Sequence, residues 1–401
     1  MSGPAAPAGS PGEVFRVFLK LGLTSFGGPI AHLGYYREEL VIRRRWIDEA
    51  GYADLVALAQ FLPGPASSQV GFSLGLLRGG PYGALAAWAA FTLPSAIALL
   101  LFAWSAAAFH GPVGIGLLHG LKLAAVAVVG QAVWGMARSL CPDRERASLA
   151  VAAVLVVAFV GGSLGQVLAI ALGGLAGLAL CRDGGAAPAV GRLDFPLSRR
   201  DGALLLCAYF ALLLGLPLLV AAGAGQTVAL FDSFYRAGAL VFGGGHVVLP
   251  LLEAEVVQPG WVGADEFLAG YGATQAIPGP IFAFAAYLGA VMGPEPNGLL
   301  GAAICLVAIF LPGLLLMAGA LPFWDDFRRR PSAQAALRGT NAAVVGVLAA
   351  ALHQPVWTSA VVTPTDFALA LAGFVLLTVW RAPSWLAVLA MALAAAALST
   401  L

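Results

Sequence analysis

Two basic residues, Lys20 and Arg236, lie within long apolar stretches of the sequence. Each comes six residues before the phenylalanine of a Phe-Gly-Gly motif, at Phe26 and Phe242. A cation inside a lipid-embedded segment is costly and indicates function by default, whereas near a segment end its side chain can extend to the membrane surface. We predict that both cations contribute to an anion-binding site, with extension to the surface as the alternative.

Glycine and proline interrupt four apolar segments near their centres. The interruptions are Phe26-Gly27-Gly28-Pro29, Pro63-Gly64-Pro65, Phe242-Gly243-Gly244-Gly245 and Pro278-Gly279-Pro280. A break in lipid frees backbone groups that need partners, so such helices survive only within protein or beside a polar cavity. A helix that begins at a break presents unpaired N–H groups and the positive end of its dipole to an anion. The alternative is that these residues only let helices pack closely.

Hydroxyl and amide side chains near the breaks could complete the shell of a tetrahedral dianion, which is very costly to bury without hydrogen bonds. The first half is predicted to supply more of this shell than the second, which keeps Thr274 but has Phe282 and Phe284 where the first has Ser67 and Gln69. The predicted substrate-binding residues are Lys20, Thr24, Ser25, Gly27, Gly28, Gln60, Gly64, Ser67, Ser68, Gln69, Arg236, Gly243, Gly244, Gln275 and Gly279.

Four titratable residues are candidates for proton coupling. Glu39 and Glu255 occupy matching positions in the two halves, while His32 and His246 do not match each other. Histidine changes charge near neutral pH, and burial can bring a carboxyl toward the same range. The alternative is that these residues are hydrogen-bonded groups at helix ends.

The composition excludes a soluble protein. Of the 401 residues 60% are hydrophobic and 10% are charged, against about 25% charged residues in an ordinary globular chain. A net charge of +1 argues against a nucleic-acid partner. The four cysteines lack metal-ligand spacing, and no nucleotide-binding or catalytic motif is present. We therefore predict a membrane protein that is not an enzyme and that holds no cofactor or metal.

The second half of the chain repeats the first. Residues 15–28 align without a gap on 231–244 at an offset of 216, and Trp46 and Gln60 align on Trp261 and Gln275 at an offset of 215. The Arg/Asp/Gly/Pro-rich stretch 182–201 is the one clear soluble linker. The predicted organisation is a disordered tail (1–13), a first transporter repeat (14–181), a cytoplasmic linker with a connecting transmembrane helix (182–228) and a second, inverted repeat (229–401).

Seven apolar segments separate the start of one copy from the start of the other. An odd number places the copies antiparallel in the membrane, an arrangement that many secondary transporters share. The predicted fold is thus an all-α polytopic membrane protein with two inverted-topology repeats. Its broken segments could be kinked spanning helices or re-entrant hairpins with the FGG and PGP motifs at their tips.

The distribution of arginine favours the hairpins. With hairpins, all the Arg-rich loops share the cytoplasmic side, the N-terminus is cytoplasmic, and the carboxylate-rich region around Glu253 and Glu266 lies outside. The arginines on the cytoplasmic side are then Arg37, Arg43, Arg44, Arg45, Arg78, Arg138, Arg144, Arg146, Arg182, Arg192, Arg199, Arg200, Arg328, Arg329, Arg330 and Arg381.

Several of these motifs together resemble one known family. The stretches FLKLGLTSFGGPIAHLGYYREELV (18–41), Trp46-Ile47-Asp48 and QFLPGPASSQVG (60–71), with FGGGHVVLPLLEAEVV (242–257) and QAIPGP (275–280), are similar to the chromate ion transporter family. The resemblance implies a bacterial inner-membrane carrier that exports chromate, confers chromate resistance and exchanges protons.

The leading hypothesis is therefore secondary-active export of chromate driven by the membrane potential. Exchange of chromate for protons, as in an antiporter, is a further possible driving force. The expected partners are chromate or a sulfate-like oxyanion, protons, the lipid bilayer and a second copy in a homodimer. The alternatives are a transporter of sulfate or another oxyanion, an anion channel, and a membrane enzyme that binds a lipid phosphate through Lys20 and Arg236.

Overall fold

The computed structural model describes residues 9–106, 111–182, 195–324 and 330–400, and within these ranges every regular element is a helix. Shorter helical turns connect several helices: Arg37–Arg43, Gly245–Val247, Ile281–Ala283, Leu321–Phe323, Leu352–Trp357 and Thr358–Ala360. The main helices are α1 Pro11–Thr24, α2 Gly28–Tyr36, α3 Glu49–Phe61, α4 Ala66–Ala106, α5 Gly111–Leu140, α6 Arg144–Val160, α7 Gly162–Leu180, α8 Arg199–Ala221, α9 Gln226–Ala239, α10 Val248–Val256, α11 Ala264–Ala276, α12 Phe284–Val291, α13 Gly298–Ala320, α14 Pro331–Ala351, α15 Pro364–Thr378 and α16 Ser384–Leu398.

Six helical stretches among the described residues are long and apolar enough to cross a membrane. They are Ala66–Ser105, Gly111–Leu140, Gly162–Leu180, Arg199–Ala221, Gly298–Phe323 and Pro331–Ala360. The prediction of an all-α polytopic membrane protein is thereby confirmed. The first stretch is bent, because α4 leaves helical geometry at Gly79 and Gly80.

Two predicted boundaries need correction. Helix α1 begins at Pro11, where the Ser10 hydroxyl accepts from the Glu13 N–H at 3.2 Å, so residues 11–13 are helical and do not belong to a tail. Helix α8 begins at Arg199, inside the predicted linker, with Ser198 and Asp201 capping each other. Residues 1–8 of the tail, residues 183–194 of the linker, Arg328 and Arg329 lie outside the described residues.

The chain reverses direction at the two FGG breaks. Lys20 before the first break lies 3.6 Å from Glu39 after it, and the rings of Phe18 and Tyr36 are 5.5 Å apart. In one straight helix Lys20 and Glu39 would be about 28 Å apart. In the second copy, Arg236 and Glu255 meet in the same way at 2.9 Å. These contacts favour hairpins over kinked through-going helices; entry of the hairpins into a membrane stays a prediction.

The two copies pack through exchanged helices. Gly339 of α14 lies against Gly173 and Gly177 of α7, and its match Gly120 of α5 lies against Ala392 of α16. Each copy thus packs its last helix on the other copy. A side-chain carbon at either matching glycine would clash with the facing backbone, so these small residues permit the close approach that membrane helices use in place of a hydrophobic driving force.

Candidate functional site

The four breaks meet one another through crossed backbone hydrogen bonds. The Gly64 N–H donates to the Val241 carbonyl at 2.7 Å, and the Gly279 N–H donates to the Ser25 carbonyl at 3.0 Å. Gly279 is the match of Gly64, and Val241 is the match of Ser25. Each PGP break is therefore bonded to the FGG break of the other copy, as a two-fold relation between the copies predicts.

Contacts around the breaks follow the same exchange. Pro29 packs against its own match Gly245, where a side-chain carbon would lie 3.1 Å from Pro29 Cγ. Gly64 lies against Gly313 of α13, and Gly279 lies against Ser95 of α4. Ser95 and Gly313 are matching positions, since each directly follows the Leu-Pro pair of its copy. The two PGP breaks share a glycine with positive φ, at 64 and 279 (+121° and +105°). The segments that follow the breaks differ: α-helices begin at Gly28 and Ala66 in the first copy, and 3-10 turns begin at Gly245 and Ile281 in the second.

Buried polar side chains gather beside the breaks of the first copy. Ser25, His32, Ser67 and Ser68 are at most 3% exposed. His32 Nδ1 lies 3.3 Å from the Ser67 hydroxyl, and the imidazole also lies against the Ser25 backbone. Among the described residues, the Ser25 hydroxyl, the Ser68 hydroxyl and His32 Nε2 have no hydrogen-bond partner. Buried polar groups are normally hydrogen-bonded, so three unpartnered groups beside the two breaks of the first copy require an explanation.

Gln69 has backbone partners that the sequence did not predict. Its amide nitrogen donates to the Pro63 carbonyl at 2.9 Å and to the Gly313 carbonyl at 3.0 Å. Both amide hydrogens are thus used to hold the second break against α13, and the remaining Oε1 is a buried acceptor. An anion needs donors, and those of Gln69 are engaged by backbone carbonyls; its role as an anion ligand stays a prediction.

The matching positions of the second copy are apolar. Phe282 packs on Phe310 with ring centroids 5.6 Å apart, and Phe284 stacks on Tyr287 at 5.9 Å. The matches of Ser25, His32, Ser67, Ser68 and Gln69 are, in order, Val241, Val248, Phe282, Ala283 and Phe284. The polar surroundings of the breaks therefore come mostly from the first copy.

Lys20 and Arg236 lie in ion clusters along the hairpins. In the first ion cluster, the Glu39 carboxylate contacts Lys20 at 3.6 Å and Arg43 and Arg44 at 2.8 Å each. In the second ion cluster, Arg236 contacts Asp232 at 3.1 Å and Glu255 at 2.9 Å. The Lys20 side chain is 57% exposed and that of Arg236 is 33% exposed. Both cations pair with carboxylates of their own hairpin.

The other predicted residues differ in burial and in hydrogen-bond partners. The Thr24 hydroxyl donates to the Lys20 carbonyl within α1, and Gln60 is exposed. Gln275 is buried with its amide nitrogen unpartnered, and His246 Nδ1 lies 2.8 Å from the Tyr271 hydroxyl. Gly27, Gly28, Gly243 and Gly244 form the FGG breaks themselves, all with positive φ.

One residue of the clusters was missed by the sequence analysis. Asp232 stands one helical turn before Arg236, a spacing at which opposite charges meet on a helix. The alignment of the two copies does not reveal Asp232, because its match is a residue of opposite charge, Arg16.

Within the described residues, no group of three or more His, Cys, Asp or Glu could hold a metal ion.

Apolar spanning helices around broken, cross-bonded hairpins define a multi-pass membrane protein of the transporter class. The chain belongs to the chromate transporter family: the family model described as "Chromate transporter" matches residues 12–178 and again residues 228–397. The two matches correspond to the two predicted copies. The family is one of transporters and not of enzymes.

Individual relatives match over nearly the whole chain. The "Probable chromate transport protein" of Synechococcus elongatus is 28% identical over 86% of this chain and 84% of its own length. The "Chromate transport protein" of Pseudomonas aeruginosa is 28% identical over 84% and 79%, and that of Cupriavidus metallidurans is 27% identical over 86% and 83%. No solved structure matches the chain.

Proposed function

We propose that this protein exports chromate across the bacterial inner membrane by secondary transport. The names of three relatives and the family match support the substrate. The observation that carries the proposal is the set of three buried, unpartnered polar groups of Ser25, His32 and Ser68 beside the crossed breaks. Such groups can all act as donors, which is what a tetrahedral oxyanion requires.

The site draws on backbone and side chains together. Helix α2 begins at Gly28 directly after the first break, so its unpaired N–H groups and dipole favour an anion there. Ser25 lies just before that break, and Ser67 and Ser68 lie just after the second one. The His32 side chain connects the two breaks through Ser67. In this reading His32 is an anion ligand and is removed from the proton-coupling candidates.

Sulfate is the second candidate substrate, because it has the same shape and charge as chromate and would use the same donors. Competition between the two anions in proteoliposomes would measure the preference. Equal transport of both would make the protein a general carrier of tetrahedral dianions, and transport of sulfate alone would overturn the chromate proposal.

A hydroxyl test addresses the site directly. The double variant Ser25→Ala with Ser68→Ala should raise the chromate concentration for half-maximal counterflow by about tenfold or more, since one hydrogen bond to a charged group is worth roughly 1.5–3 kcal/mol. Ser73→Ala is the matched control: this serine is also fully buried, but its hydroxyl already donates to the Gln69 carbonyl at 2.9 Å. Equal affinity in the double variant and the control would place the anion elsewhere.

The membrane potential suffices as a driving force for export. Moving one charge through 100 mV is worth about 2.3 kcal/mol, so a dianion that leaves a negative-inside cell gains about 4.6 kcal/mol. At about 1.4 kcal/mol per factor of ten, this sustains a gradient on the order of a thousandfold. Chromate flux in sealed vesicles should follow an imposed potassium-diffusion potential at fixed pH. Flux indifferent to the potential would indicate electroneutral anion exchange.

A further inference from the structure

The second ion cluster has more negative than positive groups. Arg236 faces two carboxylates, Asp232 at 3.1 Å and Glu255 at 2.9 Å. The Asp232 side chain is 5% exposed and that of Glu255 is 10% exposed. Asp232 Oδ1 is buried and has no hydrogen-bond partner. One cation therefore serves two buried carboxylates, and one carboxylate oxygen is left without any partner.

Within the part of the chain that the structure describes, no further charge compensates Asp232. The charged groups that act on it are Arg236 and Glu255. Helix α13, which packs on α9, carries no charged residue and has Cys305 as its titratable group. The titratable groups of α8 are Cys207 and Tyr209, whose carbonyl accepts from the Tyr235 hydroxyl. The charged residues Arg199, Arg200 and Asp201 lie in the first turn of this helix.

Helix α10 brings one more carboxylate besides Glu255. This is Glu253, whose partner is the Gln258 amide at 3.4 Å. An isolated buried carboxylate is so costly that it takes up a proton instead of staying ionised. With both carboxylates ionised, the second ion cluster would hold one uncompensated negative charge. A single proton removes it.

The first ion cluster shows the opposite balance. There Glu39 lies within 4 Å of Lys20, Arg43 and Arg44, so three cations hold it in its ionised form. The position that matches Asp232 is Arg16, which is exposed. His246 is bonded to the Tyr271 hydroxyl. Of the two ion clusters, the second therefore offers the unpaired carboxylate oxygen that a proton needs, at Asp232.

We propose that Asp232, beside Arg236 and Glu255, binds one exchangeable proton at Oδ1 and forms the proton site of chromate–proton exchange. The proton adds to Asp232 Oδ1 when the hairpin is open to the side of higher proton concentration, and it leaves from the same oxygen on the other side. The proposal rests on the proposed export function and extends it: the first copy binds the anion, and the second binds the proton.

The test is the chromate accumulation ratio at equilibrium in proteoliposomes whose potential is clamped at zero. With one proton exchanged per chromate, each unit of pH difference should change this ratio about tenfold in the unmodified protein. Asp232→Asn, which cannot release a proton, should reduce the change to less than about twofold. Glu253→Gln, a carboxylate of the same hairpin outside the cluster, should keep the tenfold response. Because the readout is an equilibrium ratio, slower transport does not imitate the result.

Three outcomes would overturn the proposal. An unchanged pH response in Asp232→Asn would place the proton elsewhere, and a response to a sodium gradient in place of pH would make the site a sodium site. Should Asp232→Asn fail to transport, Asp232→Glu keeps a titratable group and must restore the pH response; failure of both inserted variants would make the role structural.

Absence of chromate counterflow in the unmodified protein would refute the export function itself. In that case the proton site can still be tested by a separate measurement of stability. A carboxyl that is protonated in the folded state and ionised in the unfolded chain makes folding less favourable as pH rises. The thermal midpoint of the purified protein in detergent should therefore fall as the pH is raised from about 5 to 8, and Asp232→Asn should flatten this fall. A fall that is equally steep in both proteins would refute the proton site independently of transport.

Discussion

The two copies share a backbone arrangement and differ in the side chains placed on it. At the breaks, Gly64 and Gly279 make equivalent crossed hydrogen bonds of 2.7 and 3.0 Å. Around these bonds the first copy has Ser25, His32 and Ser68, whereas the matching residues of the second are valine, valine and alanine. The difference indicates that the crossed backbone hydrogen bonds are common to both copies, whereas the polar side chains that could bind an anion belong to the first copy.

The ion clusters differ in the same direction. The first has one carboxylate among three cations, and the second has two carboxylates around Arg236. If the copies are inverted as we propose, the positive cluster faces the cytoplasm and draws anions toward the site, while the negative cluster faces outward. An export carrier benefits from both, because its anion approaches from one side and its protons from the other.

The largest expected effect is the side of the membrane from which each hairpin can be labelled. In a chain whose four cysteines are replaced, Arg44→Cys should react with an impermeant thiol reagent only from the cytoplasm, and Pro259→Cys should react only from outside. Both positions are exposed in the structure. Labelling of both from one face would show parallel copies and would remove the electrostatic distinction between the two sides of the membrane.

A large difference is also expected between the two matching cations. Arg236→Gln leaves two buried carboxylates without their shared partner, and breaking a buried pair in this way costs about 3–5 kcal/mol. Lys20→Gln leaves the buried Glu39 with Arg43 and Arg44, and the cation it removes is largely exposed, so the cost should be below about 1 kcal/mol. Thermal midpoints of the purified variants in detergent would compare the two.

The control for this pair is Asp232→Asn combined with Arg236→Gln, which removes one of the stranded carboxylates. The double variant should recover part of the stability lost in Arg236→Gln. Equal destabilisation by Lys20→Gln and Arg236→Gln would mean that the two ion clusters are energetically alike.

Much of the fold could be predicted from the sequence because helices leave local signals. Helices α13, Gly298–Ala320, and α7, Gly162–Leu180, each coincide with a continuous apolar run of the sequence. The breaks were predictable for the same reason, since glycine and proline act on their own backbone. Composition alone sufficed for the membrane environment.

The pairing across the breaks could not be predicted. Nothing local tells that the Gly64 N–H will meet the Val241 carbonyl, because the partners are far apart in the sequence and any carbonyl can accept. The partners of Gln69 were not predictable for a related reason: an amide can donate to an anion or to a backbone carbonyl, and only the fold brings the Gly313 carbonyl to 3.0 Å. The sequence shows which groups can donate or accept a hydrogen bond, whereas the partner that each group meets is set by the fold.

The smallest expected effect distinguishes the two breaks from each other. At Gly64 (φ +121°) an added side-chain carbon would lie 3.0 Å from the Gly313 Cα, which is backbone and cannot yield. At Gly279 (φ +105°) the nearest atoms belong to the Ser95 side chain, the hydroxyl at 2.8 Å and Cβ at 3.1 Å, and the nearest backbone atom, the Phe91 carbonyl oxygen, is 3.4 Å away. Gly260→Ala is the control, since Gly260 also has positive φ (+79°) but meets nothing within 4 Å.

All three substitutions to alanine carry the left-handed strain, roughly 1–2 kcal/mol each. Gly64→Ala adds the cost of overpacking, about 1–3 kcal/mol, and Gly279→Ala should add less than that because the nearest backbone atom is farther away. The expected order of destabilisation is therefore Gly64→Ala, then Gly279→Ala, then Gly260→Ala, read from thermal midpoints, with chromate counterflow lowered in the first two. Should Gly279→Ala destabilise as much as Gly64→Ala, Ser95 would be as rigid as the backbone opposite it, and the two breaks would be equivalent in packing as well as in hydrogen bonding.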